Sequence, residues 1–179
     1  MRDNESWKRK ALPLELKLLP KRIQNDLETI TLDNLPRLGN YYIQGPVGSG
    51  KTLLAACMLL EAKRHRFLEA TSGDMLFITV PEFLNMIKAT YDDPEENEQA
   101  VLNKFSEADF LVLDDFGAER TTDWAMSMLY LLINRRYEEM RTTVFTSNID
   151  LQELAEKLGD ERIPARIERM CKIINKTEF

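Results

Sequence analysis

Cysteine, histidine and long apolar runs are scarce in this chain of 179 residues, and each shortage excludes a class of protein. The two cysteines, Cys57 and Cys171, lack the spacing of a metal site, which favours a reduced, cytoplasmic protein. The single histidine, His65, lies in a basic run, where a solvated helix end is favoured over a catalytic role. No run approaches the roughly 18 apolar residues of a membrane span, and residues 1–6 lack the apolar core of a signal peptide. We therefore expect no membrane partner.

Net positive charge is also lacking, since the formal net charge is −6 at pH 7. This balance excludes a wholly basic surface that coats nucleic acid. Local basic clusters remain, at residues 8–10, 63–66, 135–136 and 162–172. Because charge runs are usually solvated faces, each cluster alone gives only weak support for DNA binding.

Glycine is infrequent too, but three of the seven glycines lie in one stretch of eight residues. That stretch matches G-x-x-x-x-G-K-[ST], the phosphate-binding loop of ATP and GTP enzymes: Gly45, Pro46, Val47, Gly48, Ser49, Gly50, Lys51 and Thr52. Glycines let backbone N–H groups converge on phosphate without a Cβ in the way, and the following helix adds the positive end of its dipole. In this motif the lysine, here Lys51, binds the β- and γ-phosphates, and the Thr52 hydroxyl binds Mg²⁺. We expect Lys51 to face solvent.

The residues on both sides of this loop agree with the motif. Residues 41–44 are apolar and aromatic, as in a short buried strand, and residues 53–60 favour a helix. Strand, glycine loop and helix is the order in which phosphate-binding loops occur. The alternative, a glycine-rich turn that binds nothing, is disfavoured because motif and context agree.

Further strands and helices are predicted to alternate along one domain with one well-buried core. Apolar runs predict strands at 75–80, 110–113 and 143–146, with a further short strand at 29–32. Helical spacing and capping residues predict helices at 21–27, 81–87, 99–105, 122–140, 151–158 and 164–170. This alternation is typical of an α/β fold with a parallel sheet covered on both faces. The domain, 1–179, divides into an N-terminal segment 1–40, a P-loop core 41–148 and a short C-terminal region 149–179.

Two adjacent carboxylates, Asp114 and Asp115, follow the strand predicted at 110–113. At the carboxyl end of a buried parallel strand, both side chains would reach the ligand crevice. There Asp114 would hold Mg²⁺ through its water shell, and Asp115 would orient and deprotonate the attacking water. An acidic turn without function is the alternative, and the P-loop makes it the weaker one. Asn148, after the strand at 143–146, is on the sequence alone best interpreted as a turn or cap residue.

Taken together, these segments resemble the AAA+ ATPases of the DnaC/DnaI helicase-loader and IstB transposition-helper group. The resemblance covers about residues 39–174, and its motifs are the phosphate-binding loop, LDDFG at 113–117 with Glu119, NRRY at 134–137, TSN at 146–148 and LGDERIPARI at 158–167. It implies a P-loop NTPase with a five-stranded parallel sheet of order 5-1-4-3-2 between helices, and a much reduced C-terminal lid. It also implies that Asn148 is the sensor 1 residue and that Arg166 is an arginine finger acting on a neighbouring subunit. Arg162 is the other candidate finger.

In function, the resemblance implies an ATP-dependent loader or remodeller of a replicative helicase. It further implies Mg²⁺-dependent ATP hydrolysis, association with single-stranded DNA, and self-association through nucleotide interfaces. An IstB-like transposition helper is the alternative, because the two share this core and differ only in their partners. A nucleotide kinase would need a substrate lid with paired arginines, and the Asp114-Asp115 pair with Asn148 suits water activation better. The last alternative is an adaptor that uses ATP binding only as an assembly switch. It would differ from the ATPase in having no turnover of ATP.

Three departures from the group's pattern shape what we expect of the partner. Helicase loaders usually carry a separate N-terminal helicase-binding domain, whereas residues 1–40 alone precede the P-loop strand here. The second departure is that relatives often extend to a terminal arginine that senses nucleotide. The third is that many AAA+ proteins have Asp-Glu where this chain has Asp114-Asp115. We therefore expect the amphipathic segment 1–19, together with the acidic loop near Asp92, to contact the helicase. The alternative is that the leucines of this segment pack on the ATPase core.

Overall fold

Five strands form a parallel sheet in the computed structural model, which describes residues 21–29, 35–69, 73–91, 97–118 and 122–177. The strands are β1 Tyr41–Gln44, β2 Met75–Thr79, β3 Phe110–Phe116, β4 Thr142–Ser147 and β5 Lys172–Asn175. They lie in the order β2-β3-β4-β1-β5, and every neighbouring pair is parallel. The predicted order 5-1-4-3-2 is therefore confirmed.

Helices connect and flank the strands of the described chain: α1 Lys21–Thr29, α2 Lys51–Glu69, α3 Val80–Ala89, α4 Glu98–Glu107, α5 Asp123–Glu138, α6 Leu151–Leu158 and α7 Arg162–Met170. Local signals set several of their ends. The Thr79 side chain accepts a bond from the Glu82 N–H in a capping box at the start of α3, and Gly159 ends α6 with a left-handed φ of 63°. None of the described helices has the length and apolar character that crossing a bilayer requires.

Side chains of β3 alternate between two apolar cores. Leu111 and Leu113 pack in the core formed with α3 to α7, whereas Phe110 and Val112 pack in the core formed with α1 and α2. Both faces of the sheet are covered, which explains why this strand is continuously apolar from 110 to 113. Burial of each such side chain contributes roughly 1.5–3 kcal/mol, so the two cores hold the strand ends firmly in place.

Several element boundaries differ from the predictions. Thr29, predicted to begin a strand, is the last residue of α1. Val80 begins α3 because Thr79 caps that helix, and β3 continues to Phe116, so that it includes both aspartates. The sequence patterns do not locate β5, whose four residues show no alternation of burial. Residues 30–34 and the expected partner contacts, segment 1–19 and the loop near Asp92, lie outside the described residues, as does Glu119.

Arg136 of α5 is only 1% exposed, so the prediction of a surface basic cluster at 135–136 is wrong for this residue. Its guanidinium donates to the Phe105 carbonyl at the end of α4, at 2.8 Å. At the start of β4 it donates to the Thr142 carbonyl at 2.6 Å and to the Thr143 hydroxyl at 2.9 Å. Burial lowers the pKa of this guanidinium. The arginine therefore joins α4, α5 and β4 inside the protein.

Arg136→Met should destabilise the protein by about 3–5 kcal/mol, because it leaves buried carbonyl and hydroxyl acceptors without a donor. Arg135→Met is the matched control. Arg135 is half-buried and bonds Asn103 at 2.9 Å, so its loss should cost about 1 kcal/mol. Urea unfolding of the two variants measures the difference, and equal losses would contradict the structural role of Arg136.

Candidate nucleotide-binding site

The glycine-rich loop joins β1 to α2 at the carboxyl end of the sheet. Gly48 and Gly50 have left-handed φ angles of 83° and 87°, which glycine adopts without strain. Gly45 is required for another reason: a Cβ there would lie 1.9 Å from the Lys176 carbonyl oxygen. The Lys176 N–H donates to the Gln44 carbonyl at 2.7 Å, which brings the chain after β5 against the loop. Packing at the sheet edge therefore constrains where the loop begins.

The side chain of Lys51 is folded onto its own loop. Its Nζ donates to the carbonyl oxygens of Gly45 and Pro46, each at 2.8 Å, and the residue is 5% exposed. The prediction that Lys51 faces solvent is therefore wrong. Burial lowers the pKa of its ammonium group, and the charges of Asp115 and Asp114 oppose that shift. Neutral carbonyls, which bind a cation less strongly than phosphate does, hold the ammonium at the loop.

Asp114 is a buried carboxylate, 3% exposed, that lies between two threonines. The Thr146 hydroxyl donates to its Oδ1 at 2.5 Å, and the Thr52 hydroxyl donates to its Oδ2 at 3.2 Å. Burial, together with the charge of Asp115, raises the pKa of Asp114 to about 6, although both hydroxyls and Lys51 act to lower it. Among the described residues its hydrogen-bond partners are neutral hydroxyls.

Magnesium fits this pair of side chains. The hydroxyl of Thr52 and the carboxylate of Asp114 meet at 3.2 Å, and both supply the hard oxygen ligands that Mg²⁺ takes alongside water and phosphate oxygens. A divalent ion would also compensate the charge of a buried carboxylate. The described residues contain no cluster of three or more His, Cys, Asp or Glu ligands, so a site made wholly of such side chains is absent from that part of the chain.

Asp114→Asn should stabilise the ligand-free protein by an amount that grows with pH. The folded pKa of about 6 lies above the ordinary value of 3.8, so ionisation is less favourable in the folded chain than in the unfolded one. The destabilising effect of Asp114 should be small near pH 4, rise towards pH 6 and then level off at about 3 kcal/mol. Thermal unfolding of wild type and variant from about pH 4 to 8 measures this difference.

Asp109→Asn is the control for that experiment, because Asp109 is paired with Arg141 at 2.6 Å. This variant should show no stabilisation that increases with pH. A difference between wild type and Asp114→Asn that stays constant across the pH range would contradict the assignment.

Asp115 occupies a β-bulge beside Asp114. The register between β3 and β4 shifts between Leu113 and Phe116, and Asp115 has a left-handed φ of 58°. Its N–H donates to the Thr146 hydroxyl at 3.0 Å. The same threonine therefore binds the side chain of one aspartate and the backbone of the next.

A cavity of about 480 Å³ lies at the glycine-rich loop. It brings together residues from four separate segments of the chain. Its lining residues are Arg22, Val47, Gly48, Gly50, Lys51, Thr52, Leu53, Asp115 and Asn148. Five of the eight predicted loop residues thus share one cavity with Asp115 and Asn148.

Two residues of this region are missed by the sequence patterns. Arg22 lines the cavity from α1, and no motif marks it. Thr146 bonds Asp114 directly, whereas Asn148 of the same motif lines the cavity. The signal that could have identified the threonine is its place in the same TSN motif, at 146–148, as Asn148.

The two candidate fingers lie on α7 and are not among the described residues that line the cavity. Arg166 donates to the Asn134 Oδ1 at 2.7 Å and to the Tyr130 hydroxyl at 2.8 Å. Arg162 forms an ion pair with Asp160 at 2.6 Å. Within one subunit, neither arginine belongs to the cavity.

A family profile described as IstB-like ATP binding protein matches residues 16–176. The chain belongs to this family. The replicative helicase loader DnaC of Escherichia coli (strain K12) is 27% identical over 130 residues, which are 73% of this chain and 50% of that protein. The chain thus spans about half the length of this DnaC protein.

Solved structures agree with the family assignment. The crystal structure of the DnaC helicase loader matches with a TM-score of 0.64 and 24% identity, over 87% of this chain and 86% of that chain. The crystal structure of DnaI matches with a TM-score of 0.64 and 28% identity, over 88% and 82% of the two chains. This IstB-like protein therefore has the α/β P-loop NTPase fold of AAA+ type, as predicted.

Proposed function

We propose that the chain is a Mg²⁺-dependent ATPase that binds ATP in the cavity at the glycine-rich loop. The observation that supports it most is the grouping of one buried cation, Lys51, with two carboxylates, Asp114 and Asp115, at the carboxyl end of a parallel sheet. Cation and acid groups in such a crevice suit a polyphosphate and its metal ion.

Binding would use the loop backbone and the Lys51 side chain. N–H groups of residues 45–52, at the N-terminus of α2, would bind the phosphates. Lys51 would exchange its two carbonyl partners for the β- and γ-phosphates, which bind an ammonium more strongly. Thr52 and Asp114 would hold Mg²⁺, which when bound neutralises phosphate charge.

Hydrolysis would use Asp115 and Asn148, which line the cavity beyond the loop, as Arg22 also does. Asp115 would accept a proton from the attacking water, and the Asn148 amide would orient that water and the γ-phosphate. The Thr146 hydroxyl would keep the two aspartates in place through its bonds to both.

Arg166 would complete the site of a neighbouring subunit as an arginine finger. Its hydrogen-bond partners among the described residues are an amide, a phenol and a backbone carbonyl, all neutral, so its positive charge remains to act on a phosphate. Arg162 is instead paired with the carboxylate of Asp160, which weakens its case. The finger requires self-association through the nucleotide interface.

In the cell, we assign the ATPase to the loading or remodelling of a replicative helicase on single-stranded DNA in the cytoplasm. Support comes from the similarity to proteins named replicative helicase loader DnaC and DnaI. The second candidate is a transposition helper, which is favoured by the match to the IstB-like profile over residues 16–176. The two differ in the protein that the ATPase engages.

The test combines the purified chain with the replicative helicase of its own cell, closed circular single-stranded DNA and ATP. Wild type should raise the amount of helicase that co-migrates with DNA in gel filtration. Lys51→Ala should lose ATP binding and this transfer, because no other described residue of the cavity supplies an ammonium group. If Lys51→Ala transferred as much helicase to DNA as wild type does, the proposed nucleotide site would be wrong. If the chain associated with a transposase in place of the helicase, the transposition helper would be favoured.

A further inference from the structure

Tyr130 of α5 lies against the guanidinium groups of two arginines on α7, Arg162 and Arg166. The Arg166 guanidinium carbon is 4.7 Å from the centre of the Tyr130 ring, and that of Arg162 is 5.0 Å away. The Tyr130 hydroxyl also accepts a bond from Arg166 Nη2 at 2.8 Å, a contact for which Arg162 has no counterpart among the bonds of the described residues. The tyrosine therefore binds Arg166 by its ring and its hydroxyl.

Asn134, one helical turn further along α5, binds the other end of the same guanidinium. Its Oδ1 accepts a bond from Arg166 Nε at 2.7 Å. Its Nδ2 donates to Glu138 Oε1 at 2.9 Å, which orients the amide so that its oxygen faces the arginine. The acceptors at positions 130 and 134 thus fix the plane of the guanidinium from a rigid helix.

These contacts leave part of Arg166 able to bind a phosphate. A guanidinium has five N–H groups. The bonds to Asn134, Tyr130 and the Arg162 carbonyl use three of them, one on each nitrogen. One N–H on each terminal nitrogen is not used by these three bonds, and both can donate to phosphate oxygens.

We propose that Tyr130 and Asn134 are positioning residues of the arginine finger, holding Arg166 in the plane in which it meets the nucleotide of the neighbouring subunit. The inference rests on the proposed function of Arg166 in trans. An arginine side chain has several rotatable bonds, so holding it before the subunits meet lowers the entropy lost in the transition state.

Mixed subunits test this role. The donor subunit carries Lys51→Ala, so it hydrolyses nothing itself but retains Arg166. The acceptor subunit carries Arg166→Ala and an intact loop, so its turnover depends on the donor's finger. Tyr130→Phe, which keeps the ring but removes the hydroxyl, is then added to either subunit.

In the donor, Tyr130→Phe should lower the kcat of the mixture by about tenfold, with a much smaller change in the KM for ATP. Asn134→Ala in the donor should do the same. In the acceptor, whose finger is already absent, Tyr130→Phe should leave the rate of the mixture unchanged. Tyr137→Phe, the same substitution on the same helix, is the matched control and should have no effect in either subunit.

Three outcomes would overturn the inference. If Tyr130→Phe and Asn134→Ala in the donor left the kcat of the mixture unchanged, Arg166 would need no positioning. An equal loss from donor and acceptor would show that Tyr130 supports the fold alone. An inactive mixture before any change at Tyr130, with both subunits assembled, would overturn the trans-acting finger itself, and the positioning role with it.

Discussion

Arg166→Ala should lower the turnover number for ATP by roughly 10³–10⁵-fold in the assembled protein, the range that an arginine finger contributes. The loss is large because Arg166 would supply a permanent, planar charge to the transferring phosphoryl group in the transition state. The KM for ATP should change far less than kcat, since the finger contributes little to ground-state binding. Steady-state hydrolysis at a protein concentration where the subunits assemble measures both quantities.

Two other arginines of α7 serve as controls for this variant. Arg162→Ala removes the alternative finger, and Arg169→Ala removes an exposed charge in the last turn of the helix. Both variants should keep most of the wild-type turnover. A greater loss in Arg162→Ala than in Arg166→Ala would reverse the assignment of the finger.

Asp115→Asn should retain ATP binding and lower turnover by roughly 10²–10⁴-fold, the usual contribution of a general base. Asparagine keeps the shape of the side chain but cannot take a proton from water. It also tolerates the left-handed φ of 58° at this position better than alanine does, so the loss reports chemistry and not backbone strain. Titration with a fluorescent ATP analogue measures binding, and single-turnover hydrolysis measures the chemical step.

Asp123→Asn is the matched control, because Asp123 lies exposed in the first turn of α5 and does not line the cavity among the described residues. It should hydrolyse ATP at the wild-type rate. If Asp115→Asn also did so, Asp115 would not be the base. If Asp115→Asn lost ATP binding as well, the residue would belong to nucleotide binding.

Local sequence patterns predict the parts of the fold that depend on neighbouring residues. The strand–loop–helix unit from Tyr41 to Glu69 follows from an apolar run, closely spaced glycines and a helix-forming segment. The ends of α3 and α6 follow from the capping residue Thr79 and from Gly159. β5 is missed because four residues at a sheet edge carry too weak a pattern.

The candidate site is predictable only in part. Lys51, Thr52 and Asp115 belong to motifs that can be found without a structure, because phosphate and metal chemistry demand those residue types at those spacings. Asn148 is assigned a role by resemblance alone, since its sequence context favours a turn or cap residue. Arg22 has no motif, and its position at the cavity follows from the packing of α1.

The sequence by itself determined the α/β class, the phosphate-binding loop and the pair of aspartates, because each depends on residues close together in the chain. Tertiary structure decided the contacts made between distant segments. It set the bonds of Thr146 to Asp114 and Asp115, the close approach of Lys176 to Gly45, and the burial of Arg136. It also placed Arg166 on Tyr130. The physical reason is that strand order, strand register and helix packing bring these groups within bonding distance, and no local spacing encodes such pairings.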